Sequence, residues 1–367
     1  MNFLFFIVHP SKYHVFKNTI NALKTKGHQC DIAITSKDVL ENLIKNEGWD
    51  YINIFPEGRK IKGIPTKISA AINTIRTLTR LRKIVNIKKY DLFITDDLLV
   101  INGKLKGIPS ILFQDDDITA VPETKLLFHF ANHILSPSVS NLGEYMFKKI
   151  PFLGYKELGG LHPNVFTPDY SIIEKFNPEK SPYFILRLVS LKATHDIGKS
   201  GLNNQDVLRL IKRLEKYGKI FITAERELPV EFEKYRIVIR PNDISHALYY
   251  AKFLISDSQT MSAEAGVLGT PYIRFNDFVD KISYLSELEH VYNLGIGIKT
   301  KDKELLFDKV EELLLNENLD EEWQIKRKKM LGDKIDLTNL MIWLFENYPN
   351  SISILKDNPD YQHRFIK

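Results

Sequence analysis

Short, mostly apolar runs recur along this chain at 3–8, 31–35, 51–55, 91–95, 110–113 and 133–136. The stretches between several of them have helical spacing. Runs of that length that do not alternate apolar with polar residues read as strands buried on both faces. When helices separate such strands, the product is a parallel sheet covered on two sides. A helix is expected over about 15–26, stopping at Gly27. From 152 to about 182 the pattern breaks: Gly154, Gly159, Gly160, Pro163, Pro168 and Pro178 interrupt any long element and mark a connection between domains. The alternation then resumes, with strands expected at 183–188, 219–223, 235–239, 253–255 and 271–275. Helices are expected at 204–217, 244–250, 305–315 and 337–346. This predicts an α/β protein of two doubly wound domains, 1–165 and 166–335, with 336–367 returning to the first domain as a helix and a loosely held polar tail. Ligands of such sheets bind at the carboxyl ends of the strands, so a cleft between the domains is the expected site.

A length of 367 residues exceeds a typical single core, and 44% hydrophobic with 26% charged residues is the balance of a folded soluble protein. The one cysteine, Cys30, excludes an intrachain disulfide and a cysteine-based metal cage and fits a reducing compartment. No apolar run is long enough to span a bilayer. Residues 1–8 lack the basic start and the length of a signal sequence, so a cytoplasmic location is expected. The net charge is +5, but between Glu57 and Asp91 there is no acidic residue. Ten basic residues fall there, with Ile68, Ile72, Ile75, Leu78, Leu81 and Val85 at near-helical spacing. Residues 59–89 therefore read either as a helix covering the sheet with solvated charges or as a peripheral contact with the inner face of an anionic membrane. The run has no interleaved aromatics and no accompanying motif, so nucleic-acid binding is not expected.

The most informative stretch chemically is 251–271. An apolar strand enters a cluster of hydroxyl and carboxyl residues (Ser256, Asp257, Ser258, Gln259, Thr260), followed by a helix of small residues closed by Gly269 and Pro271. That order puts free N–H groups and the positive end of a helix dipole at a strand's carboxyl end, where a diphosphate binds well. Glu264, one and a half turns in, is placed to accept from ribose hydroxyls. The same residues also make an ordinary capped helix. Neither G-x-G-x-x-G after the first strand nor G-x-x-x-x-G-K occurs, which argues against a dinucleotide enzyme and a P-loop ATPase.

With these features together, the chain resembles the GT-B superfamily, two Rossmann-like domains, and within it the branch around UDP-N-acetylglucosamine 2-epimerase. Closest of all, it resembles a bacterial and archaeal family classed as a domain of unknown function beside that branch. Ser256-Asp257-Ser258-Gln259-Thr260-Met261, Glu264-Ala265 and Leu268-Gly269-Thr270-Pro271 are similar to the epimerase Thr-Asp-Ser-Gly-Gly, Glu-Glu-Ala and Leu-Gly-Lys-Pro. Thr194-His195-Asp196 looks like the epimerase Thr-His-Arg, and Pro122-Glu123 like its Pro-Glu-Glu. Asp115, Asp116 and Asp117 follow a strand where the epimerases carry a glutamate, and Asp96-Asp97 stands where they have Gly-Asp-Thr. Asp196 replaces an arginine, and Val8-His9-Pro10-Ser11-Lys12-Tyr13-His14 replaces a Gly-Thr-Arg-Pro-Glu start. The Glu-x7-Glu of one retaining glycosyltransferase group is missing, with Tyr272 in the second position.

The resemblance implies a nucleotide-sugar site in which Ser256, Ser258, Gln259, Thr260, Met261 and Glu264 hold UDP, with Arg187, Lys192 and Arg274 as the cations nearest the diphosphate. Asp257, awkward beside a phosphate, is expected to cap the helix or point away. His14, Asp115, Asp116, Glu123 and His195 are the candidate acids and bases. UDP-sugar is then a substrate, and neither a metal nor another cofactor is expected. The resemblance implies first a GT-B glycosyltransferase of surface-polysaccharide or glycolipid assembly, taking a lipid-linked or polysaccharide acceptor. A UDP-sugar 2-epimerase-like enzyme and a non-catalytic nucleotide-sugar-binding protein are the alternatives.

Overall fold

The computed structural model describes residues 1–36, 39–59, 63, 65–190 and 200–366. The chain divides into two compact units, Met1–Gly160 with Ile335–Lys367, and Leu161–Lys334. In the first, seven strands form one sheet: β1 (Asn2–Ile7), β2 (Gln29–Ile34), β3 (Ile52–Asn53), β4 (Leu92–Thr95), β5 (Ser110–Phe113), β6 (His133–Pro137) and β7 (Lys149–Phe152). Their order is β3-β2-β1-β4-β5-β6-β7 and every pairing is parallel. The second unit carries β8 (Tyr183–Leu188), β9 (Lys219–Ala224), β10 (Phe253–Ser256), β11 (Tyr272–Phe275) and β12 (Gly295–Ile298), ordered β12-β11-β10-β8-β9 and again all parallel. Central strands such as β1, β4 and β10 are buried almost residue for residue, which is why they read as unbroken apolar runs.

The basic segment is a helix, Thr66–Val85, packed on the first sheet. Leu81, Ile84 and Val85 join Leu4, Phe6 and Phe93 in one core cluster. Arg76 and Arg80 both bond Glu57 at 2.6 Å and stack over the Phe55 ring, at 5.0 and 4.6 Å from its centroid. Ile68 and Ile75 remain exposed on its outer side. No described helix is long and apolar enough to cross a membrane. The helix Leu337–Glu346 packs in the first unit: Phe345 lies against Phe3 and Phe5, Thr338 donates to the Gly159 carbonyl at 2.9 Å, and Glu346 meets Lys26 and His28.

Two expectations are corrected, and one strand is added to those expected. The tail is held, since a helix Asn350–Asp357 buries Ile352 and Leu355 and the Gln362 side chain accepts from the Leu153 N–H at 2.7 Å. Residues 235–239 are not a strand: only Arg236 makes a bridge, and Val238 is 91% exposed. The unexpected strand β12 carries two glycines. At Gly295 a Cβ would fall 2.0 Å from Tyr272 Cζ, so the tyrosine ring fills the space a side chain would take.

Candidate functional site

In the second unit, register pairing puts Arg187 of β8, Ser256 of β10 and Arg274 of β11 side by side at the carboxyl end of the sheet. Register partners in a parallel ladder project from the same face. Ser256 Oγ accepts from the Ser258 N–H at 2.8 Å, and Ser258 N-caps the helix Gln259–Leu268 by accepting from the Met261 N–H at 3.3 Å. The first turn of a helix leaves its early N–H groups without intrahelical partners. With Ser258 and Met261 satisfied, those of Gln259 and Thr260 remain at the positive end of the dipole. Ser258, Gln259, Thr260 and Glu264 are half-buried, whereas Met261 and the small residues behind it pack inward. At Gly266 an added Cβ would stand 2.9 Å from Tyr272, so the helix lies close on the sheet because its inner residues are small.

Asp257 does not cap this helix. It is fully buried, its Oδ1 accepts from the Val189 N–H at 2.7 Å, and burial pushes its carboxyl up to about 6. Arg274 is a core residue rather than a phosphate ligand. Its guanidinium forks onto Glu289, at 2.8 and 2.9 Å, and both side chains are buried. A side chain on β11 at that register lies beneath the helix Ser283–His290, which supplies the glutamate. Arg187 keeps partial exposure and pairs with Glu225.

The first unit gathers a second constellation, again at strand carboxyl ends. Asp115, after β5, is buried between two lysines: Lys12 from the first turn of the helix Pro10–Thr25, and Lys156, beyond β7, whose Nζ is 2.5 Å from Oδ2. Burial raises the Asp115 carboxyl, but Lys12 and Lys156 more than reverse this and hold it below the ordinary carboxylate range. Its neighbour Asp116 is half-buried and lacks those bonds. Burial, then the Asp115 charge, push it up to about 6. Asp117 is buried and accepts from the Asn141 N–H at 2.7 Å, fixing the turn. Asp96, after β4, is pushed by burial up to about 7. Glu157 is buried with neither oxygen hydrogen-bonded and lies 3.8 Å from Lys156; burial pushes it up to about 7. Beside Asp115, which its two lysines hold as a carboxylate, the group thus contains three carboxyls, Asp96, Asp116 and Glu157, that burial raises toward neutrality, the condition for general acid–base work.

Of the other expected acids and bases, His14 is half-buried on the helix Pro10–Thr25, where burial and then Lys17 lower it to about 4. Gly160 packs against its backbone, where a Cβ would meet the His14 carbonyl oxygen at 3.0 Å. Glu123 is exposed on the short 3-10 turn Pro122–Thr124. His195, with Lys192, Thr194 and Asp196, lies outside the described residues. Sequence reasoning missed Lys12, Lys156 and Glu157. The available signal for Lys12 was its place just after the first strand, in the stretch where the epimerase start is replaced. Among the described residues, no group of three or more His, Cys, Asp or Glu is arranged to hold a metal ion.

No protein-family model matches the sequence, and no curated protein matches it. Solved structures do match. An S. aureus MnaA–UDP co-structure aligns with 96% of this chain and 98% of its own, at 14% identity and a TM-score of 0.68. The UDP-GlcNAc 2-epimerase of Neisseria meningitidis, bound to UDP-GlcNAc, aligns with 95% of this chain and 100% of its own, at 12% identity and a TM-score of 0.63. The spinosyn rhamnosyltransferase SpnG, complexed with spinosyn aglycone, aligns with 95% of this chain and 100% of its own, at 15% identity and a TM-score of 0.60. At such identities the likeness is one of fold. The chain has the GT-B fold, two Rossmann-like units, shared by UDP-GlcNAc 2-epimerases and glycosyltransferases.

Proposed function

We propose that this chain is a nucleotide-sugar-dependent enzyme, and specifically a GT-B glycosyltransferase that uses a UDP-sugar. The observation that carries the reading is the start of the helix Gln259–Leu268, where two N–H groups remain beyond the Ser256 and Ser258 caps and Glu264 follows one turn on. The N–H groups of Gln259 and Thr260, with Arg187, take the diphosphate and stabilise its charge as it leaves. Glu264 accepts from the ribose hydroxyls. Asp116 is the base that takes the acceptor proton, because burial, and then the Asp115 anion held by Lys12 and Lys156, push its carboxyl up to about 6. In this reading the acceptor is lipid-linked or a polysaccharide. The exposed Ile68 and Ile75 of the basic helix support a peripheral membrane contact through 59–89.

A UDP-sugar 2-epimerase is the second reading. It is favoured by the TM-score of the N. meningitidis epimerase, 0.63 against 0.60 for SpnG, and by the three acids, Asp96, Asp116 and Glu157, that burial raises toward neutrality. Calorimetric titration with UDP and UDP-sugars tests the common ground. The Glu264→Ala variant is expected to bind UDP about tenfold more weakly or worse, the loss of hydrogen bonds to a charged group. No uridine-nucleotide binding, or binding indifferent to Glu264, refutes both enzyme readings. Turnover of UDP-sugar alone, abolished in Asp116→Asn, selects the epimerase. Turnover only with an acceptor selects the transferase. Tight binding with no turnover leaves a nucleotide-sugar-binding protein.

A further inference from the structure

Arg187 is the one expected diphosphate cation that is both described and partly open to solvent, and it is already engaged by an anion. One guanidinium nitrogen of Arg187 donates to Glu225 Oε1, while Oε2 of the same glutamate accepts from the Ser190 N–H at 3.3 Å. Glu225 follows the last residue of β9, and its backbone N–H donates to the Leu188 carbonyl at 2.9 Å, which keeps it beside the end of β8. The arginine side chain is 19% exposed and the glutamate 47%. Arg187 Nε is buried and has no hydrogen-bond partner. The pair is therefore asymmetric: the cation is set into the sheet end next to Ser256, and the anion lies over it from the solvent side with its second oxygen only loosely held. A guanidinium has five N–H donors, and one carboxylate oxygen uses few of them. A phosphate offers more acceptors in the same fork geometry and takes bidentate pairing.

We propose that Glu225 is a stand-in anion, holding Arg187 in place until the diphosphate of a nucleotide ligand displaces it, so that Glu225 sets the affinity of the site. The inference rests on the nucleotide reading above and adds to it a residue that does not touch the nucleotide in the bound state. In the unliganded protein the carboxylate offsets the cost of leaving the partly buried arginine unpaired. In the liganded protein it is released to water, where an exposed carboxylate is well solvated. Breaking this pair subtracts from the binding free energy, and a variant that never forms it binds more tightly.

The test is calorimetric titration of UDP, and separately of inorganic pyrophosphate, into wild type, Glu225→Gln, Arg187→Gln and the double variant, each first shown to unfold cooperatively. Glu225→Gln is expected to tighten UDP and pyrophosphate by about fivefold, the size of a partly exposed ion pair. In the Arg187→Gln background the same change is expected to have no effect, because there is no cation left to release. Unchanged or weaker UDP binding in Glu225→Gln overturns the inference while leaving the nucleotide reading intact. An equal tightening in the Arg187→Gln background also overturns it, since that is a general charge effect on an anionic ligand. Wild type that binds neither probe refutes the nucleotide reading, and this inference with it.

Discussion

The electrostatics of the first unit are tested most directly at Glu157. Both its oxygens are buried without a hydrogen-bond partner. Burial pushes the carboxyl from its ordinary 4.5 up to about 7; Lys156 opposes the rise and Asp115 adds to it. A carboxyl whose value is higher in the folded than in the unfolded state binds its proton more tightly when folded. The Glu157 contribution to stability is then undiminished at low pH and falls as pH rises from about 4.5 to about 7, with no further loss above that. A tenfold change in proton affinity is worth about 1.4 kcal/mol, so the loss across this window reaches about 3 kcal/mol. Glu157→Gln keeps the shape and the neutral form but cannot ionise. The variant is expected to match wild type near pH 4.5 and to be more stable by about 3 kcal/mol at pH 8. For a unit of this size that is a gap in Tm of about 6–12 °C. Denaturant and thermal unfolding at pH 4.5, 6 and 8, followed by near-ultraviolet circular dichroism, measure it. Parallel pH profiles for the two proteins, or a gap that is widest at low pH, refute the reasoning.

Two further outcomes follow from the other buried charges. Arg274→Met leaves Glu289 buried and unpaired, and is expected to cost about 3–5 kcal/mol, read as a lower denaturant midpoint for the second unit. UDP affinity measured below that midpoint is expected to stay within about twofold of wild type, because the arginine serves the core. Lys156→Met leaves Asp115 with Lys12 alone and is expected to cost about 3 kcal/mol at pH 7. Asp115 is depressed in the folded state, so its contribution is present at neutral pH and is lost as pH falls below about 4. Unfolding titrations at pH 7 and pH 3 are therefore expected to show the gap between variant and wild type narrowing at the lower pH.

What was legible in the sequence was what depends on near neighbours. Ser258 capping its own helix, and Gly269 ending that helix at φ 80°, are contacts within a few residues, so the segment from Phe253 to Gly269 reads correctly as a strand, a capped turn and a helix. The parallel sheets are legible because a strand buried on both faces cannot alternate. Arg274 was misplaced for a reason of the opposite kind. Its strand-end position is right for a phosphate ligand, but Glu289 reaches it from a separate helix fifteen residues on. The strand β12 was missed because Gly295 and Gly297 look like breakers on their own. Their lack of side chains makes room for the Tyr272 ring and the Glu289 carboxylate.

The turn at Asp115, Asp116 and Asp117 marks where local reading stops. Three adjacent carboxylates in a sequence look like a solvated turn, and as free side chains they would titrate together. Topology separates them. Lys12 comes from 103 positions away and Lys156 from 41, because the ends of β1, β5 and β7 share one edge of the sheet. The two lysines take Asp115, the Asn141 N–H takes an oxygen of Asp117, and Asp116 is left half-buried beside a fixed negative charge. A single anion would be a poor base, being either well solvated and weak or buried and protonated. Burial raises the proton affinity of Asp116, and the neighbouring carboxylate pinned as an anion raises it further while the side chain stays half-buried, which is how, in the proposed reading, a pair of ordinary aspartates divides the roles of anchor and base. The lysines are therefore as much a part of the proposed chemistry as the acid they leave unbonded, although neither of them touches the proton.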